Sequence, residues 1–192
     1  LVKIDSSAII VFIGGICFMR ELFNEQEISR TLTRISHEII EKNKGVDNLV
    51  LIGILTRGRY LANRIQEIIK SIDGVALPCG YIDITNYRDD QKKSKEIDNT
   101  LIPFSIENKK IILVDDVFFS GRTIRAAMDG LMKRGRPLEI QLVELIDRGH
   151  RQLPIRANYV GKNVPTSVDE IIEVRLKEID GMDSVILKDG GE

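Results

Sequence analysis

Residues 111–123, Ile-Ile-Leu-Val-Asp-Asp-Val-Phe-Phe-Ser-Gly-Arg-Thr, decide the fold. Ile111 to Val114 is an unbroken apolar run, mostly β-branched, as a strand covered on both faces requires. It ends abruptly in Asp115 and Asp116. A short loop rich in hydroxyl, glycine and arginine follows, and then Ile124, Ala127, Met128 and Leu131 recur at helical spacing. A loop that opens a helix can converge its free backbone N–H groups, here from Phe118 to Thr123, on one anion, helped by the helix dipole. Ser120 and Thr123 add hydroxyl donors, and Gly121 lets the backbone approach with no side chain in the way. The loop therefore suits a phosphate. The two carboxylates would repel that phosphate but accept hydrogen bonds from vicinal hydroxyls, so pair and loop together fit a ribose 5-phosphate. A lone Asp-Asp would read as a solvated turn; the whole run reads as a ligand site.

Outward from this run, apolar strands alternate with amphipathic helices, the pattern of a mainly parallel α/β sheet flanked by helices. A helix is expected from Asn24 to Lys42, with Asn24 as cap and Gly45 as stop. A strand spans Leu49–Leu55, Thr56-Arg57-Gly58 forms a turn, and a helix runs from Tyr60 to Ser71. A short strand near Val75–Pro78 precedes Tyr81–Ile84. Asn86 to Thr100 is polar, charged and weakly periodic, and reads as a mobile loop. Gly135 and Pro137 end the helix after the 111–123 run, and Ile140–Ile146 is a further buried strand. Tyr159–Val160, Glu170–Leu176 and Ser184–Leu187 are short strands suited to a small cap beside the main sheet. Ligands of open α/β sheets bind beyond the carboxyl ends of the strands. Thr56-Arg57-Gly58, Asp115-Asp116 and Asp147-Arg148 each follow an expected strand, so these polar clusters face one crevice.

The chain has 192 residues, enough for one domain with a sizeable core, and its 43% hydrophobic and 30% charged content is that of an ordinary soluble globule. A net charge of −1 gives no global attraction to nucleic acid, so such binding must come from a patch. Cys17 and Cys79 lack metal-ligand spacing and form no disulfide framework, which fits a reduced, cytoplasmic setting. The only histidines are His37 and His150, which gives a zinc site little support. Ala8 to Met19 is nearly all apolar but shorter than the roughly 20 residues a membrane span needs. Residues 1–18 read as an N-terminal extension with no part in the chemistry, and residues 19–192 as a single domain.

The 111–123 run resembles the 5-phosphoribosyl-1-pyrophosphate (PRPP) fingerprint of type I phosphoribosyltransferases. Further stretches resemble one subfamily: 33–38 (Thr-Arg-Ile-Ser-His-Glu), 55–58 (Leu-Thr-Arg-Gly), 82–90 (Ile-Asp-Ile-Thr-Asn-Tyr-Arg-Asp-Asp), 147–151 (Asp-Arg-Gly-His-Arg) and 154–163 (Pro-Ile-Arg-Ala-Asn-Tyr-Val-Gly-Lys-Asn). That subfamily is the bacterial pyrimidine operon attenuation regulators, which are also uracil phosphoribosyltransferases. The likeness runs in order from about Glu21 to the C-terminus.

The resemblance implies that uracil and PRPP give UMP and diphosphate. Asp115 and Asp116 would hold the ribose hydroxyls beside the developing positive charge. Val117, Phe118, Phe119, Ser120, Gly121, Arg122 and Thr123 would grip the 5′-phosphate, while Thr56, Arg57 and Gly58 would meet the diphosphate. Mg2+ would bind chiefly through diphosphate oxygens and water, with no direct protein ligand expected. Tyr87 and Arg88 would close over the site, and Arg148 and the backbone around Ile172 would lie by the uracil ring. Phe119 and Ser120 stand where the family commonly has Tyr and Thr; serine keeps the hydroxyl donor, whereas phenylalanine loses one.

The expected first helix divides sharply. Ile28, Leu32, Ile35 and Ile39 share one face, and Arg30, Thr33, Arg34 and His37 the opposite one. His150, Arg151, Arg156 and Lys162 form a second basic group. Charge alone reads as a solvated helix face. By resemblance these residues would form an RNA-contacting surface that binds pyrimidine-operon leader mRNA when UMP is bound. Gln152, where glutamate is common, removes a negative charge beside that patch. The resemblance also suggests a homo-oligomer, a dimer or higher, and no membrane partner. Two rivals stand beside this reading: a purine phosphoribosyltransferase without an RNA role, and a UMP-sensing regulator whose catalysis is vestigial.

Overall fold

The computed structural model describes residues 19–89 and 97–190. The N-terminal extension expected at 1–18, and residues 90–96 of the expected loop, lie outside the described residues. In chain order the elements are β1 (Met19–Asn24), α1 (Glu25–Asn43), β2 (Leu49–Ile54), α2 (Arg57–Asp73), β3 (Cys79–Ile82), a 3-10 turn at Thr85–Tyr87, β4 (Lys110–Phe118), α3 (Arg122–Met132), β5 (Glu139–Asp147), β6 (Tyr159–Asn163), β7 (Ile171–Arg175), α4 (Lys177–Asp180) and β8 (Ser184–Lys188). β3, β2, β4, β5 and β6 lie side by side in that order in one all-parallel sheet. β1, β8 and β7 form a separate antiparallel sheet of three strands, a hood over the carboxyl ends of the others.

Local chemistry explains most boundaries. The Asn24 side chain accepts from the Glu27 N–H at 3.0 Å and the Glu27 carboxylate accepts from the Asn24 N–H at 2.9 Å, a closed capping box that starts α1. Lys44 turns left-handed at its end, and the Gly45 N–H donates back to the Ile40 carbonyl at 2.9 Å. Ile28, Leu32, Ile35 and Ile39 are fully enclosed with the apolar face of α2 on one side of the parallel sheet. Ile124, Ala127 and Leu131 of α3 close the other side over Ile111 and Leu113.

The structure corrects four expectations. α2 begins at Arg57, not Tyr60, so Thr56-Arg57-Gly58 is the first turn of a helix rather than a free turn. No strand forms at Val75–Pro78; the residues that pair with β2 are Cys79–Ile82. Tyr159–Val160 belongs to the edge strand of the main sheet, not to the hood, because Tyr159 is buried and its hydroxyl donates to Gln141 on β5 at 2.5 Å. β1 is a hood strand that local periodicity does not show; it pairs with β8, the last strand among the described residues, and Leu22 and Phe23 join the core beside α1 and α2.

Candidate functional site

The parallel sheet delivers the ends of β2, β3, β4 and β5 to one crevice under the hood. At its centre Asp115 is buried and Asp116 stands at the rim, with the two carboxyls within hydrogen-bonding reach of each other. Burial, then the charge of Asp116, pushes the Asp115 carboxyl well above the usual range. Burial raises Asp116 too, against the hydrogen bond from Asp115 and the positive charge of Arg57. Both carboxyls therefore hold their protons more tightly than an ordinary aspartate does.

Behind Asp115, in register on β5, lies Glu144, fully buried with neither carboxylate oxygen hydrogen-bonded. Burial, then the charges of Asp115, Asp116 and Asp147, holds its carboxyl well above the ordinary range. Sequence reasoning counted Glu144 as part of a core strand. A single carboxyl inside an otherwise apolar run was the available signal.

The strand does not end at Asp115 and Asp116 as expected: β4 continues to Phe118, and residues 119–121 connect it to α3. Gly121 has φ +88° and caps α3, and the Thr123 and Ile124 amides have no partner within the helix. A cavity of about 370 Å³ is lined by this loop with Arg88 and Gln152. The loop is anchored from outside: the Gln152 N–H donates to the Ser120 carbonyl at 3.0 Å and the Arg148 N–H to the Phe118 carbonyl at 3.1 Å. The Arg122 side chain donates to Gln152 at 3.0 Å and Asp89 at 2.9 Å. Gln152 thus borders this cavity.

At the β2 end, close approach explains two glycines. A Cβ on Gly58 would sit 2.3 Å from the Val114 carbonyl oxygen, and one on Gly53 2.3 Å from that of Gly58. Both absences draw the start of α2 against β4. Thr56 is exposed at this turn, after a cis Leu55–Thr56 peptide, and the Arg57 guanidinium lies between Asp116 and the hood residue Asp180, 3.3 Å from both Asp180 oxygens. A second cavity, of about 470 Å³, is lined by Thr56, Asp83 and Arg88 among others. Arg88 borders both cavities. Tyr87 does not overhang the crevice; its ring packs on α3 under Lys133, and its hydroxyl accepts from Arg134 at 3.2 Å. Asp83 accepts from both the N–H and the hydroxyl of Thr85 and from both the N–H and the amide of Asn99. Burial would raise its pKa, but these four donors hold it below the ordinary value, and they tie together the two ends of the intervening loop.

At the β5 end, Arg148 is buried and gives its guanidinium to the Thr166 hydroxyl and to the carbonyls of Ser167, Val168 and Glu170, the closest at 2.6 Å. It also stacks on Phe119, 4.3 Å from the ring centroid. Arg148 thus braces the segment leading into β7, whose Ile172 side chain is buried, and few of its donors remain for a base. His150 meets the edge of Phe119 and bonds the Thr166 carbonyl oxygen at 2.7 Å, while Arg151 pairs with the buried Asp147.

The face of α1 expected to be basic is exposed: Arg30, Thr33, Arg34 and His37 all reach solvent. Arg34 is partly committed, donating to the carbonyls of Val160 and Gly161 at 3.0 and 2.8 Å, and so fastens α1 to the edge strand β6. Lys162 lies on the same seam, donating to the Leu22 carbonyl at 3.3 Å. Arg30 and Arg156 are exposed and make no ion pair among the described residues. His150 and Arg151 belong to the rim of the crevice itself, lining a cavity with Arg148.

Residues 19–179 match the phosphoribosyl transferase domain model. A protein of Halalkalibacterium halodurans named bifunctional protein PyrR is 56% identical over 174 residues, covering 88% of this chain and 97% of that protein. One of the same name from Caldicellulosiruptor bescii is 58% identical over 172 residues, covering 88% and 94%. Among solved structures, the hypoxanthine phosphoribosyltransferase of Trypanosoma cruzi superposes with a TM-score of 0.68 at 20% identity over 87% of this chain and 94% of that one. That of Staphylococcus aureus gives 0.65 at 23% identity, over 87% and 90%. At such identity the two structures speak for the fold alone.

Proposed function

The chain belongs to the phosphoribosyltransferase family, and from its likeness to the bifunctional PyrR proteins we propose that it converts uracil and PRPP to UMP and diphosphate and, with UMP bound, binds pyrimidine-operon leader RNA to attenuate transcription. On this reading residues 19–192 are one catalytic domain. The observation that carries the enzymatic half is the Asp115–Asp116 pair set between the loop that opens α3 on one side and Arg57 on the other.

The ribose diol donates hydrogen bonds to Asp115 and Asp116, whose carboxylate charge lies under the ring where positive charge develops at C1′. The 117–123 loop fixes the 5′-phosphate, and Thr56 and Arg57 meet the departing diphosphate. Positioning and electrostatics do the work; no covalent enzyme intermediate is required. A Mg2+ would arrive with PRPP, held chiefly through diphosphate oxygens and water, with Asp83 lining the cavity at the diphosphate end. When bound, the ion neutralises charge on the leaving group. Arg148 acts on the base by fixing the strand that carries Ile172.

Assays with radiolabelled uracil, hypoxanthine and guanine, each with PRPP and Mg2+, test the enzyme. UMP formation from uracil alone is expected; turnover of a purine instead would replace the proposal with the purine enzyme.

The RNA surface is the exposed side of α1 with β6 and the 150–156 turn, where Arg and Lys meet phosphates and Thr33 and the histidines meet loop bases or 2′-hydroxyls. RNA as partner goes with a cytoplasmic setting. No helix among the described residues is long and apolar enough to cross a membrane. Arg30→Ala and Arg156→Ala, which break no contact in the fold, should each weaken UMP-dependent leader binding by roughly tenfold, about one lost charged contact, and leave uracil turnover intact. Unchanged binding in a gel-shift titration would remove α1 from the RNA surface. Sedimentation of the protein checks the homo-oligomer expected of it.

A further inference from the structure

The hood is fastened to α2 through two arginines seven positions apart, on one face of that helix. Arg64 takes Glu178 and Asp183 together, with contacts between 2.6 and 2.9 Å, and the Lys177 N–H donates to Asp183 at 2.7 Å. That network fixes α4. At the end of α4 the Asp180 carboxylate accepts from the Leu176 N–H at 2.9 Å and from a single nitrogen of Arg57, Nη2, at 3.3 Å to each oxygen. The remaining Arg57 nitrogens have no partner among the described residues, and Nε is buried. Arg57 is therefore held by one corner, beside Asp116, with its other donors unspent.

We propose that Asp180 is a positioning residue for this reaction: the hood carboxylate holds Arg57 by Nη2 so that Nη1 stands ready for the diphosphate of PRPP. The inference rests on the proposed role of Arg57. It favours orientation over competition for a geometric reason. A ligand that takes Nη1 leaves the Nη2 contact in place, so Asp180 need not be displaced. It also gives the hood a task in the reaction apart from covering the base, since the same α4 is locked to the helix whose first turn meets the leaving group.

Asp180→Asn is the informative variant, because the side-chain oxygen can still accept from the Leu176 N–H while the charge that holds Arg57 is gone. We expect KM for PRPP, and for diphosphate in the reverse reaction, to rise about two- to fivefold, as befits a partly exposed ion pair, with kcat and KM for uracil near wild type. Asp180→Glu should restore most of the loss. In the cycle with Arg57→Ala, the double variant should match Arg57→Ala alone, since Asp180 acts only through that side chain. If Arg57→Ala raises KM for PRPP but Asp180→Asn leaves it unchanged, lowers it, or adds in full to the double variant, the positioning role is wrong and the diphosphate assignment stands. If Arg57→Ala itself leaves KM for PRPP unchanged, both fall together.

Discussion

Asp83, just after β3, and Asp115, in the carboxyl-terminal half of β4, are the same residue type on strands of one parallel sheet, and both are buried. Their proton affinities nevertheless move in opposite directions, Asp83 down and Asp115 up. The chain supplies Asp83 with four donors, whereas at Asp115 burial and the neighbouring charge of Asp116 dominate, with Glu144 behind it. A carboxylate whose acceptors the fold completes gives up its proton readily, whereas one set among other carboxyls keeps it. Burial alone does not tell them apart.

The sharpest way to break this contrast is at the acidic pair. Asp115→Asn with Asp116→Asn should lower uracil turnover by at least about a hundredfold, the scale of losing charge aimed at a transition state, without loss of thermal stability. Near-normal steady-state rates would end the assignment. Asp83→Ala should do the reverse, costing roughly 2–3 kcal/mol by stranding its donors, read as a lower denaturant midpoint. Its pH signature follows from its depressed pKa: the wild-type contribution is full above the ordinary carboxylate range and disappears as pH falls through the folded value, so the variant should lose less stability on acidification than the wild type. Equal slopes would show that the four hydrogen bonds carry no net stabilisation.

The smallest effect is expected at Glu144, and its sign is opposite. A carboxyl whose pKa is raised on folding contributes fully below its unfolded value, and that contribution is lost as pH rises toward the folded one. Glu144→Gln should therefore leave the melting temperature near wild type at about pH 5 and raise it at about pH 8, by the equivalent of about 1 kcal/mol. A gain that is the same at both pH values would mean that Glu144 carries no unusual proton.

The 111–123 run was legible because everything it does is local: the strand, the acidic pair and the loop that opens α3 are consecutive residues, and their chemistry follows from adjacency. The placing of Thr56-Arg57-Gly58 and Asp147-Arg148 at the same crevice was legible too, since parallel strands must carry their ends to one edge. Arg148 shows where this stops. Its position was foreseen, but its use was not, because the carbonyls it binds belong to a segment 19 to 22 residues further on.

Sequence by itself determined the strand-and-helix alternation, the glycine-bearing loop that opens α3 and the acidic pair, because each arises from neighbours along the chain. Only the tertiary structure decided that β6 joins the main sheet, that β1 closes the hood, that Glu144 lies unpaired behind Asp115, and that Asp180 reaches Arg57 across 123 residues. Those facts are contacts between distant segments. Pairing and burial set them, and neither leaves a periodicity in the local sequence.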